Sequence, residues 1–275
     1  MRGLSMRLCT TVLSTALLAA ALSGCAAGTS QASTGRFLTE FGPAASPAAE
    51  RGKQLAVRHH TLEGFAQEAD NFFLLPQDVP IVGRQCDEAN AYWDPQAGQI
   101  QFCYEMLDHI DEFAAAHSGG SEAERTRLFT AVSSMIFYHE TGHMAISLYS
   151  LPATGREEDS ADQLATLVLL STPDHSGGAD AVAAAEFWRS SAGDPADLDS
   201  RRFGDSHSLD EVRGFNLLCW VYGSDPSAYP AIVAPAGPLP SERASGCPLE
   251  YQKMKEAWNT LLAPHVKGEI GGPAD

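Results

Sequence analysis

Positive charge is scarce in this sequence. Its 18 Lys and Arg face 35 Asp and Glu, a formal net charge of -17, and such a field repels phosphate backbones and anionic lipid surfaces, so nucleic acid is excluded as a partner. No apolar run reaches the roughly 18 to 20 residues that a bilayer-crossing helix needs. No Gly-x-Ser-x-Gly occurs, which leaves a serine hydrolase without its nucleophile turn. None of the six cysteines stands at Cys-x-x-Cys spacing, so a zinc-finger reading fails. Adjacent histidines occur only at His59-His60, which argues against a protein that stores or delivers metal on exposed histidine tracts. No internal repeat is present, and with it goes any solenoid.

What is present concentrates in one stretch, Tyr138-His139-Glu140-Thr141-Gly142-His143. Two histidines four apart on a helix project from one face, so both imidazoles can reach one zinc ion, while the glutamate beside the first can take a proton from a water that the ion activates. The motif is short enough to arise by chance, so its surroundings carry weight. Apolar residues recur at helical intervals from Leu128 to Phe137, and Ser121 with Glu124 forms a capping box that starts a helix ahead of them. Gly142 costs that helix about 1 kcal/mol relative to Ala. A small residue there leaves room for a neighbouring backbone or for the metal site. The bland alternative is a pair of ordinary helix histidines held by nearby carboxylates.

A catalytic zinc takes a third protein ligand from elsewhere in the chain. A metzincin would supply a histidine at position 149, where Tyr149 stands. The other solution is a glutamate from the next helix, with an aspartate one turn later behind it. Leu151-Pro152-Ala153-Thr154-Gly155 makes the turn, and Glu158-x-x-x-Asp162 opens a new helix whose buried side carries Ala161, Leu164, Ala165, Leu167 and Val168. Glu158 is then the ligand and Asp162 the group that holds a ring N–H of a ligand histidine. Glu157, Asp159 and Asp162 are carboxylates too, and the order of preference for the third ligand is Glu158, then Asp162, then Glu157. Acidic residues at a helix start also favour the helix dipole, whatever their other role.

On His139-Glu140-Thr141-Gly142-His143, on the run from Gly155 to Ala165 and on Asn216-Leu217-Leu218-Cys219-Trp220-Val221-Tyr222-Gly223, the chain resembles the gluzincin peptidases. It is most similar to a bacterial family known as "putative zinc metallopeptidases", many of them secreted or lipid-anchored, over roughly residues 60 to 262. The resemblance implies an α+β, mainly helical, zincin-like fold: a small β-sheet or hairpin over the motif helix, and a helical C-terminal lobe. It implies Zn2+ and hydrolysis of peptide bonds, but no particular substrate. In thermolysin-like relatives a histidine from the C-terminal lobe steadies the developing oxyanion. His207 is the candidate for that catalytic role, its alternative being an exposed loop histidine.

Taken in order, Arg2 and Arg7, the apolar run Thr11 to Leu22 and Leu22-Ser23-Gly24-Cys25 read as a lipoprotein signal over residues 1–24 with Cys25 lipidated. The alternative is an ordinary signal peptide cut nearby. Residues 25–50, rich in Ala, Gly, Ser, Thr and Pro, read as a flexible tether, and 51–275 as one metallopeptidase domain. In an oxidising compartment Cys86, Cys103, Cys219 and Cys247 allow three pairings. Cys86 with Cys103 and Cys219 with Cys247 are favoured because short loops close most readily. Helices are expected near residues 60–75, 104–117, 178–191 and 249–263, with strands at Val79–Val82, Ala91–Trp93 and Ile100–Tyr104, the last two as a hairpin. Ser208, followed by Glu211, is expected to cap the helix carrying Phe215 to Val221.

The function expected is a zinc-dependent peptidase with Glu140 as general base and His139, His143 and Glu158 on the metal. It would act outside the cytoplasm on a peptide or protein and touch the membrane only through its lipid anchor. The rival reading is a catalytically inactive zincin-fold lipoprotein that binds a cell-envelope partner in the same groove.

Overall fold

The computed structural model describes residues 35–172, 176–193 and 200–271. The signal segment 1–24, Cys25 and residues 26–34 lie outside the described residues. The fold starts earlier than composition suggests. Phe37–Phe41 forms strand β1, and Pro47–Arg58 forms helix α1, so residues 35–50 are part of the fold and not of a tether. The small residues around Phe37 and Phe41 hide a strand, and Pro47 is no breaker because it sits in the first helical turn, where a missing N–H costs nothing. Ser46 caps that helix, its Oγ accepting from the Ala49 N–H at 3.1 Å.

Helix α2 (Thr61–Phe72) leads to β2 (Val79–Arg84), β3 (Ala91–Asp94) and β4 (Gln99–Cys103). The sheet runs β1-β2-β4-β3, with β1 and β4 parallel to β2 and β3 antiparallel to β4 at one edge. The β3–β4 turn is the expected hairpin: Asp94 Oδ1 accepts from the Gln96 and Ala97 N–H groups, and Gly98 supplies a left-handed φ of 66°. Cys86 and Cys103 are joined across β2 and β4.

Helices α3 (Tyr104–His117) and α4 (Glu122–Leu148) follow, then α5 (Glu157–Leu169) and α6 (Gly177–Ser191). Helix α4 starts where the capping box places it, with Ser121 Oγ accepting from the Glu124 N–H. It is buried on nearly every face from Leu128 to Ala145 because it is the central rod, packed by the sheet, α3, α5 and α6. Phe137 anchors it to the sheet side, stacked on Phe65 of α2 with centroids 4.4 Å apart and edge-on to Phe37 of β1.

The short α7 (Ser200–Phe203) precedes α8 (Asp210–Ser224), α9 (Ser241–Ala244) and α10 (Cys247–Leu262). The Cys219–Cys247 disulfide ties α8 to the start of α10. Helix α8 begins after Leu209, so Ser208 is not its cap; the Ser208 hydroxyl donates instead to Asp159 of α5 at 2.8 Å. The segment after α10 returns to the residues that follow α2. The Leu74 N–H donates to the His265 carbonyl and the Lys267 N–H to the Phe72 carbonyl, both at 2.8 Å, and Tyr149 stacks on His265. Among the described residues no helix is long and apolar enough to cross a membrane.

Candidate metal centre

Gly142 explains how the two motif helices come together. A Cβ on it would meet Ala161 Cα at 2.8 Å, closer than any side chain tolerates, so the glycine lets α4 and α5 pack backbone to backbone. That contact faces Glu157, Glu158 and Asp162 toward the His139–His143 side of α4.

Three donor atoms converge. His139 Nε2 lies 3.2 Å from His143 Nε2 and 3.2 Å from Glu158 Oε2, and His143 Nε2 lies 3.1 Å from the same oxygen. Ligands held tetrahedrally at about 2.0–2.1 Å from a zinc-like ion stand roughly 3.3 Å from one another. The triangle therefore fits such an ion without rearrangement, and His139, His143 and Glu158 form a group able to hold a metal.

Each imidazole has its other nitrogen held by a carboxylate. His139 Nδ1 donates to Asp162 Oδ1 at 2.7 Å and His143 Nδ1 to Glu157 Oε1 at 2.8 Å, which turns both Nε2 atoms inward. Asp162 is buried and receives two bonds from Arg213, Nε to Oδ2 and Nη2 to Oδ1, both at 2.8 Å. The Arg213 guanidinium lies 3.8 Å over the Trp188 ring. Of the three carboxylates in contention, Glu158 faces both Nε2 atoms, while Asp162 and Glu157 stand behind the rings.

The electrostatics follow from burial and pairing. Burial works against charge on His139, but Asp162, Glu158 and Glu140 outweigh it and hold the imidazolium up to about 9. His143 is raised too, burial again opposing and Glu158 and Glu157 prevailing over its charged neighbour His139. Glu158 resists desolvation through bonds from His139, His143 and His207 and is held far below the carboxylate range. Burial also opposes the Asp162 charge, and Arg213 and His139 overcome it, holding that carboxyl well below its ordinary value. Glu140 behaves in the opposite way. Burial pushes it up, and the charges of His139 and His143 and the Trp93 N–H bring it only part of the way back.

Glu140 Oε2 accepts that N–H at 2.8 Å, so the edge strand β3 fixes the glutamate's carboxylate beside the donor triangle. His207 joins the group from the loop before α8. Its Nε2 lies 2.9 Å from Glu158 Oε2, its ring stacks near that of His139, and its side chain is 43% exposed. Asp205 Oδ1 accepts from the His207 backbone N–H at 2.9 Å and lies 3.3 Å from its Nδ1. A cleft of about 280 Å3 opens here, bordered by His139, Glu140 and His207 and by the apolar Met106, Ile136 and Trp188.

The sequence motifs did not flag Arg213, Trp93 or Asp205. A signal for Arg213 existed: it shares a helix face with Leu217 and Trp220, and a charge on an apolar face needs a buried partner. No curated protein and no solved structure matches the chain. A family model does match, over residues 41–262, starting well ahead of the motifs and taking in α1 as well as the donor triangle. With most of its length inside that match and a group able to bind metal at its centre, the chain belongs to the family described as "Putative metallopeptidase".

Proposed function

We propose that this chain is a zinc-dependent peptidase acting on peptide or protein substrates outside the cytoplasm, anchored by a lipid on Cys25. The observation that carries the reading is the triangle of His139 Nε2, His143 Nε2 and Glu158 Oε2, with edges of 3.1 to 3.2 Å, set beside the buried Glu140. Two imidazoles and one carboxylate are a donor set that suits zinc and leaves a position open. Bound there, the ion supplies Lewis acidity to a substrate carbonyl and lowers the pKa of water.

The chain's own groups do the rest. Glu140 takes the proton from the attacking water and later passes it to the leaving amine; its raised carboxyl makes it a better base than an exposed glutamate. The Trp93 N–H keeps that carboxylate oriented. His207, whose Nε2 lies against Glu158 Oε2 before substrate enters, would turn that N–H to the oxygen that becomes negative as the carbonyl is attacked. Asp162 and Glu157 keep the two ligand rings in place. Two disulfides support an oxidising compartment, and the acidic surface disfavours nucleic acid and anionic lipid.

The test is Glu140→Gln in the soluble chain, with metal analysis and a digest of proteome-derived peptides. The variant is expected to keep one zinc per chain and lose cleavage by about 10²–10⁴-fold. Undiminished cleavage would refute the role of Glu140. A wild-type chain that holds zinc yet generates no new peptide termini would instead be the inactive zincin-fold lipoprotein, binding an envelope partner in the same cleft.

A further inference from the structure

His207 sits on a loop, and a loop is a poor place from which to aim a side chain unless something holds its backbone. Arg156 does so. It is the last residue before α5, with an extended backbone at φ -64° and ψ 126°, two positions ahead of Glu158. Its Nη1 donates to three consecutive loop carbonyls: Asp205 at 2.9 Å, Ser206 at 3.1 Å and His207 at 3.0 Å. One Nη1 carries two hydrogens, so the three oxygens share them, each bond being assisted by the charge. One turn along the same helix, Asp159 accepts the Ser208 hydroxyl at 2.8 Å. The loop is thus fastened to the helix that carries Glu158 on both sides of His207.

We propose that Arg156 is a positioning residue, whose guanidinium gathers the carbonyls of Asp205, Ser206 and His207 and so holds the His207 imidazole at the metal-binding group. Arg156 makes no bond to the donor triangle, and it meets the cleft-lining Asp205 and His207 at their backbone carbonyls. Its whole effect passes through the loop backbone, and it sets how His207 meets Glu158 and anything bound in the cleft. The consequence for turnover rests on the peptidase reading; the consequence for the loop does not.

The experiment compares wild type, Arg156→Ala, Arg156→Lys, His207→Ala and the Arg156→Ala/His207→Ala double variant, each as the full soluble chain loaded with zinc. In Arg156→Ala, zinc content and unfolding midpoint stay near wild type, while hydrogen exchange at the amides of residues 205–208 rises about tenfold or more. Peptide kcat falls about as far as in His207→Ala, with KM changed less than threefold. Arg156→Lys, whose ammonium offers three donors, recovers part of both losses, and the double variant is no slower than His207→Ala alone. Unchanged exchange at 205–208 in Arg156→Ala overturns the proposal, as does a double variant slowed by the product of the two single effects. If wild type cleaves nothing, the peptidase reading fails, and the exchange measurement still decides the role of Arg156.

Discussion

Arg213 is a guanidinium only 5% exposed, and it stands behind an aspartate that itself stands behind His139 of the group able to hold a metal. Replacing it with Met keeps much of the volume and removes both bonds to Asp162, leaving a buried carboxylate with His139 as its remaining described partner. Breaking a buried pair from one side costs about 3–5 kcal/mol. Arg213→Met is therefore expected to lower the unfolding free energy of the metal-free chain by that amount, and with it the denaturant midpoint, and to weaken zinc binding about 10–100-fold through the loosened His139 ring. Urea unfolding and competition with a chromophoric chelator measure the two effects; an unchanged midpoint would show that Arg213 and Asp162 are not coupled as described. The residues that sequence reasoning could find are those whose partners are set by helical spacing: His139 with His143, and Glu158 with Asp162. Those it passed over meet partners far along the chain. Trp93 reaches Glu140 across 47 residues and Arg213 reaches Asp162 across 51, and no local period encodes such pairings.

At the scale of the element, the site depends on how closely α4 and α5 approach. Alanine at position 142 would gain about 1 kcal/mol of helix propensity. Its Cβ would also meet Ala161 Cα at 2.8 Å and Cβ at 3.0 Å, and overpacking of this kind costs about 1–3 kcal/mol. The added Cβ meets the backbone of Ala161 and no flexible side-chain end, so the helices must move apart. Gly142→Ala is expected to lower both the melting temperature and the zinc affinity; a more stable variant with unaltered affinity would show that the close approach is not needed. Helices with a clear apolar period, such as α2, α3, α5 and α10, were readable from the sequence, as was the hairpin with its Asp94-to-Gly98 turn. The strand β1 was not, because five residues among Gly, Ala and Pro carry too little period to separate them from a linker. Ser208 misled for a different reason: its hydroxyl donates to the Asp159 carboxylate, where a cap's oxygen would accept from a backbone N–H at the start of α8.

For the molecule as a whole, the donor triangle couples stability to pH and to metal in one equilibrium. Without metal, the His139 imidazolium is held up to about 9. A raised folded value means that its contribution to stability is complete below the ordinary 6.5 and is lost as pH rises through about 9. Asp162 is depressed, so its contribution is present above the ordinary 3.8 and is lost as pH falls further. A zinc ion held by this group would compete with the protons on His139 and His143, and its binding would release them. The metal-free chain should accordingly lose stability from pH 6 to pH 9 while zinc affinity grows, and the gap in melting temperature between zinc-loaded and chelator-treated protein should widen over that range. Thermal melts at constant free zinc measure it; a gap that narrows toward pH 9 would mean that protons do not occupy the ligand rings. The chain's length and acidic balance set the class of molecule, yet they were silent on how its end is used, since Val266 and its neighbours carry no pattern that announces a return to residues 72–74.

That return has a bearing on delivery. A polypeptide emerging N-terminus first exposes the backbone of Phe72–Leu74 for the whole time that the next 190 or so residues take to follow, because the groups that pair with it are His265 and Lys267. Closure waits for residues 265–267, so a nascent chain remains unlatched at this seam until that stretch has left the ribosome.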